Sequence, residues 1–317
     1  MPAGGPPYVG FLVALLLSLL RMSHSSSKAE SSCTTSALKM LSIFNDHLQS
    51  GLLSCSADSS LLPYTTISYA QTLDGTIAPL KRTRLDISSK CSFQLLHSLR
   101  SLHDAVLIGV NTLVSDKPRL TVRDPLPSTG IDTAELTRRP PDYQPRPVVI
   151  DSRLRFLCIP TSDILLSNPI ICTCILPSDE KFALAERKLA ELGGGSLMTC
   201  SEDASSGHCD LRDAFLRLRR LFGFSSILVE GGAGIIQSVL EAGLASRIVV
   251  TIKPSFFGGY RALIGQLSNE VKVDCPIASS IGGDIVMQGN LVMSHAGDGS
   301  AGDGGGDNSR TVVDFVK

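Results

Sequence analysis

The sequence predicts an α/β fold: a mostly parallel central sheet flanked by helices, with an antiparallel C-terminal hairpin. Three observations predict it. Continuous apolar runs of strand length recur along the chain, as strands buried on both faces require. Amphipathic stripes with three- and four-residue spacing stand between them, the alternation of a parallel α/β unit. The last stretch changes character, with two strand-like segments on either side of a Gly/Asp tract.

Residues 1–60 read as leader and linker. Val9–Leu20 is apolar but too short to cross a bilayer, which takes about twenty residues. It suits the core of a signal peptide or an organellar leader, and no membrane segment is expected in the mature body. The alternative is an upstream extension with Met22 as a second start. One short helix is expected around Ala37–Leu48.

The body then runs over 61–317. Pro63–Tyr69 is rich in Thr, Ile and Tyr and reads as a strand, with the Asp74-Gly75 turn behind it. Ser92–His103 carries Phe93, Leu95, Leu96, Leu99 and Leu102 at helical spacing. Ala105–Val110 is a buried strand. Residues 124–146 are proline-rich without periodicity and form a surface excursion. Pro147–Asp151 and Ile170–Leu176 are strands, and Lys181–Leu192 is a helix stopped by Gly193-Gly194-Gly195. The helix Leu211–Leu221, the strand Ser226–Glu230, the helix Ile235–Glu241 and the strand Arg247–Ile252 follow. Asp284–Ser294 and Thr311–Val316 are expected to pair as the terminal hairpin, across a disordered Gly/Asp loop at 297–308.

Composition narrows the function. Of 317 residues 43% are hydrophobic, enough for a sizeable core, and 29 Lys+Arg against 30 Asp+Glu leave a net charge of −1. That balance argues against a nucleic-acid-binding surface. With no Trp and 5% aromatics, a stacking platform for single strands is not supported either. The 9 cysteines include no Cys-x-x-C and read as reduced structural thiols, so no metal site is expected.

Three constellations carry possible chemistry. Glu230-Gly231-Gly232-Ala233-Gly234 lies between a strand and a helix, where free N–H groups and the helix dipole suit a phosphate. The same pattern also fits a tight turn with no ligand. Glu230, at the carboxyl end of a parallel strand, points to the crevice where open α/β sheets bind ligands; a carboxylate favoured by the helix start is the plain alternative. Thr112 and Asp116, four apart, share one face of a short helix that Pro118 ends, with capping and solvation as their alternative roles. Arg100 and Arg123, if they converge, would suit a phosphorylated substrate through their forked donors.

Taken together, these residues resemble a known family. Tyr69-Ala70-Gln71-Thr72-Leu73-Asp74-Gly75, then Gly109-x-x-Thr112-x-x-x-Asp116-x-Pro118-x-Leu120-Thr121-Val122-Arg123, then Arg146 to Ser152, then Leu228 to Gly232, then Phe257-Gly258-Gly259 occur in order. The series, covering Pro63 to Lys317, resembles the riboflavin-biosynthesis reductases, whose fold is similar to dihydrofolate reductase. The resemblance implies an NADPH-dependent reduction of a phosphoribosylamino-pyrimidine to its ribitylamino form, with hydride delivered to C1 of the sugar. By matching position, Ala70, Thr112, Asp116, Ser152, Gly231, Gly232, Ala233 and Gly234 would contact the cofactor. Arg100, Leu120, Arg123 and Glu230 would contact the phosphorylated pyrimidine, and no catalytic residue is assigned.

The H-x-E and P-C-x-x-C motifs of the zinc deaminase fused to bacterial members do not occur. The chain is therefore similar to the stand-alone reductases that act on 2,5-diamino-6-(ribosylamino)-4(3H)-pyrimidinone 5′-phosphate. Pro79–Ser88 does not align clearly with the family. A homodimer is expected, in the cytoplasm by resemblance although the apolar leader points to a signal or organellar route. Two alternatives stand: the same reduction on the deaminated 5-amino-6-(5-phosphoribosylamino)uracil, and a non-catalytic nucleotide-binding or interaction subunit. A folate-pathway reductase would need an acidic pterin anchor, which the sequence does not offer.

Overall fold

Runs such as Ala-Val-Leu-Ile-Gly, buried at every position, can only be satisfied inside a sheet covered on both faces. The computed structural model describes residues 32–53, 62–80, 87–126, 140 and 142–293. Within them, β1 (Tyr64–Thr72), β3 (Ala105–Gly109), β4 (Arg146–Ile150), β5 (Ile170–Thr173), β6 (Ser196–Thr199), β7 (Ser226–Gly231) and β8 (Arg247–Lys253) run parallel. The hairpin β10 (Val271–Ile281) and β11 (Asp284–Met293) adds antiparallel to β8. The resulting nine-stranded sheet has the order β10-β11-β8-β1-β7-β3-β4-β5-β6. A two-stranded ribbon pairs β2 (Thr76–Ala78) with β9 (Tyr260–Arg261).

Strand alternation divides the core between the two faces. Val106, Ile108 and Leu228 pack on one side with α1 (32–53) and α2 (Lys90–Leu102). Leu107, Ile227 and Val229 pack on the other with α5 (Leu211–Phe222) and α6 (Ala233–Glu241). The remaining helices are α3 (Val110–Asp116) and α4 (Glu180–Glu191). None of the described helices is long and apolar enough to cross a membrane.

Three expectations are corrected. Part of the stretch read as linker is α1, which extends well past the short helix expected there. Ala37, Leu41, Phe44 and Leu48 recur at three- and four-residue spacing and are buried in the core, and Gln288 Nε2 donates to Met40 O from β11. The hairpin partner of β11 is β10, not Thr311–Val316, which lies outside the described residues. Pro276 and a register shift between Asp274 and Ile277 interrupt β10, and hid it from a reading by alternation. Cys33 and Cys91 are joined as a disulfide between α1 and α2, so these two are not reduced thiols. The leader at 1–31, the 127–139 part of the proline-rich excursion and the Gly/Asp tract also fall outside the described residues.

Candidate functional site

Parallel strands all finish at one edge, so the loops following β1, β3, β4 and β7 gather there. At the centre of that edge β7 carries one extra residue. Leu107 pairs with Val229 and Ile108 with Gly231, leaving Glu230 as a bulge that aims its side chain out of the ladder.

Glu230 meets Arg100 from α2. Nε of Arg100 donates to Oε1 at 2.6 Å and Nη2 donates to Oε2 at 2.7 Å, a bidentate pair with side chains 7% and 9% exposed. Nη1 donates to Thr121 O at 2.9 Å. Burial opposes the charge on Arg100, but the Glu230 carboxylate outweighs it and raises the guanidinium pKa. Arg100 is thus committed to Glu230 and Thr121 rather than turned outward beside Arg123. Arg123 is exposed, and its Nη1 donates to Thr121 Oγ1 at 3.3 Å. Leu120 adopts a positive φ of 55° and buries its side chain in the core.

The glycine turn follows Glu230 directly. Gly232 is the N-cap of α6 at φ 80°, and this helix start has no side-chain cap. Around Gly231 and Gly234 an added Cβ would meet nothing within 4 Å, whereas at Gly232 it would lie 2.6 Å from Thr112 Oγ1. That hydroxyl donates to Gly231 O at 3.3 Å, so α3 buttresses the turn from behind and leaves its front open. An open, uncapped helix N-terminus lined by glycine is a fitting cradle for a pyrophosphate. Asp116 closes α3 on its exposed side, accepting from Ser115 Oγ at 2.7 Å, before the left-handed Lys117 and Pro118 stop the helix.

Ala70 is half-buried near the end of β1, beside β7. Ser152 follows β4, two strands from β7 on the other side; its Oγ accepts from Cys209 N at 2.9 Å and its carbonyl from Cys174 N at 3.1 Å. The structure therefore brings Thr112 against Gly231 and Gly232, and links Arg100, Glu230 and Arg123 through Thr121. Ala70 and Ser152 lie along the same edge without touching either group in the contacts described.

Two further residues organise this edge. Asp74 accepts from Thr72 Oγ1 at 2.5 Å, Thr76 Oγ1 at 2.9 Å, Phe257 N at 3.2 Å and Gly258 N at 2.8 Å. It thereby ties the first sequence motif to the last. These bonds, the one from Thr72 foremost, hold its carboxyl well below the usual carboxylate range. His97, fully buried on α2, accepts from Arg123 N at 2.9 Å through Nδ1. Its only sequence signal is a polar residue within a leucine stripe. Among the described residues no group of three or more His, Cys, Asp or Glu side chains is placed to hold a metal ion.

The RibD C-terminal domain family model matches residues 63–287. The riboflavin biosynthesis protein RibD of Aquifex aeolicus is 31% identical over 229 residues, 71% of this chain and 57% of that protein, so the chain spans little more than half of that relative. The 2,5-diamino-6-ribosylamino-4(3H)-pyrimidinone 5′-phosphate reductase of Eremothecium gossypii is 30% identical over 63% of this chain and 77% of its own length. The fold is that of Acinetobacter baumannii RibD, with a TM-score of 0.60 at 21% identity over 78% of this chain and 62% of that one. It is also that of the Saccharomyces cerevisiae riboflavin biosynthesis reductase Rib7, with a TM-score of 0.53 at 20% identity over 74% and 92%.

Proposed function

The chain belongs to the RibD C-terminal domain family, and from that premise we propose that it reduces the ribosylamino side chain of 2,5-diamino-6-(ribosylamino)-4(3H)-pyrimidinone 5′-phosphate to the ribitylamino form with NADPH. The observation that carries this reading is the adjacency of Glu230 and the glycine turn. One residue step separates a carboxylate suited to a sugar from a cradle suited to a dinucleotide phosphate.

NADPH, when bound, supplies the hydride. The protein's part is to hold two ligands against each other in reacting geometry. Gly231, Gly232, Ala233 and Gly234 receive the pyrophosphate on open N–H groups, with Thr112 fixing the turn. Asp116 at the end of α3, with Ser152 and Ala70 by the strand ends, extends the cofactor track. Glu230 spends one lone pair of each oxygen on Arg100 and keeps the others for hydroxyl groups of the sugar. Arg100 acts through Glu230, so the exposed Arg123 takes the substrate phosphate, and Leu120 shapes the loop between them.

The test is nicotinamide oxidation by the purified full chain with the diaminopyrimidinone phosphate, its deaminated uracil counterpart, and NADH in place of NADPH. Turnover with NADPH and the diaminopyrimidinone is expected. Turnover on the uracil alone transfers the assignment to that substrate, and no oxidation with either pyrimidine overturns the reading.

A further inference from the structure

The segment 117–126 has no regular secondary structure, so its shape is imposed from outside. One helix does most of this. Along α2, Gln94 Nε2 donates to Asp124 Oδ1 at 3.2 Å and Ser98 Oγ accepts from Leu126 N at 2.9 Å. Arg100 Nη1 donates to Thr121 O, and His97 Nδ1 accepts from Arg123 N, both at 2.9 Å. From the other side Gln144 brackets Val122, accepting from its N–H at 2.8 Å and donating to its carbonyl at 3.1 Å.

His97 stands out among these grips. A backbone N–H can only donate, so Nδ1 must be the bare nitrogen and the proton must sit on Nε2. Nε2 is buried and has no hydrogen-bond partner. An apolar side chain would remove the unsatisfied Nε2, but at the cost of the acceptor that Arg123 N now uses. What the imidazole adds is the bond to the Arg123 amide. Phe93 packs edge-on against the ring at 4.5 Å between centroids, which fixes the direction of that bond.

We propose that His97 is a positioning residue for the phosphorylated substrate: by holding the Arg123 amide it sets where the Arg123 guanidinium stands. The inference rests on the reading of Arg123 as the phosphate contact. It also accounts for a buried histidine inside an apolar stripe. Because Gln144, Ser98 and Arg100 still hold the loop, removing this one bond should displace Arg123 without unfolding the segment.

The test uses His97→Phe, which keeps the ring and removes both nitrogens, with His97→Leu should the phenylalanine not fit. His97→Asn, whose carbonyl oxygen can stand near the place of Nδ1, is the rescue, and Arg123→Ala is the control. In the full-length protein, His97→Phe should raise the KM for the diaminopyrimidinone phosphate roughly three- to tenfold, the loss of about one hydrogen bond. The KM for NADPH should hold within about twofold, and the Arg123 amide should exchange faster with solvent. His97→Asn should recover most of the substrate KM. If Arg123→Ala raises that KM and His97→Phe does not, the proposal falls and the site reading survives. If Arg123→Ala is silent, both fall. Equal rises in the two KM values, without rescue by Asn, would reduce His97 to a core residue and overturn the proposal.

Discussion

Replacing Arg100 with Met removes the only cation paired with the buried Glu230 carboxylate in the contacts described, and frees Thr121 O, while keeping an unbranched stem in the same space. With the two side chains 7% and 9% exposed, the pair has little access to water. Breaking a buried pair by removing one partner costs about 3–5 kcal/mol, because the remaining charge keeps its desolvation without its attraction. For a folded body of the size of the described residues each kcal/mol lowers Tm by about 2–4 °C, giving a fall of about 6–20 °C. Thermal and urea unfolding followed by circular dichroism would measure it, with Arg100→Met/Glu230→Leu completing a double-mutant cycle. The double variant should be more stable than Arg100→Met alone, since no unpaired charge is left behind. A loss under about 1 kcal/mol, the range of solvated surface pairs, would refute the reasoning. So would a double variant no more stable than the single one.

Gly232→Ala forces a side chain into a positive φ of 80° and against Thr112 Oγ1; it should cost about 1–3 kcal/mol and raise the KM for NADPH, with an unchanged KM counting against the pyrophosphate placement. Asp74→Ala should speed hydrogen exchange at the Phe257 and Gly258 amides, and protection equal to wild type would show that Asp74 does not hold that loop. Burial, with the Arg100 and Arg123 charges, lowers the pKa of His97 to about 4 from an ordinary 6.5, against the opposing Asp124. The unfolded chain therefore takes up this proton first: the contribution is complete above about pH 6.5, declines as pH falls toward 4 and levels off below. Urea titrations across that window should show a shallower pH slope in His97→Phe than in wild type, and identical slopes would remove His97 as the source.

The central strands that the sequence revealed are those whose environment is uniform. Ala105–Gly109 and Ser226–Gly231 lie in the middle of the sheet, and continuous burial leaves a continuous apolar run. Edge strands are wetted on one side and lose that signature, which is why Ser196–Thr199 and Val271–Ile281 were not legible. For α1 the stripe was visible but its docking was not, because only the three-dimensional structure shows that a sheet face lacks cover. The site divides in the same way. Thr112 with Asp116, and Glu230 with the glycines, are local in the chain, and helix periodicity and strand polarity place them. The Arg100–Glu230 pair joins residues 130 apart in sequence, and nothing local marks two charges as partners. His97 was hidden for the opposite reason: a satisfied Nδ1 inside an apolar stripe looks like core.

The extra residue in β7 has a consequence for altering this protein. A strand counts in twos, so a one-residue insertion changes which way every later side chain points unless a bulge absorbs it. Downstream of Glu230 the numbering of β7 is out of step with β3 by one place, and the glycine turn continues from the Ile108–Gly231 pair. Deleting Glu230 would restore an unbroken ladder and leave Gly231 opposite Ile108, so the turn would keep its place and its facing while the carboxylate at its threshold was lost. Turn and carboxylate are therefore separable: the glycine turn rests on the ladder itself, and Glu230 is an added residue that a graft of this turn onto another parallel sheet could carry or leave out.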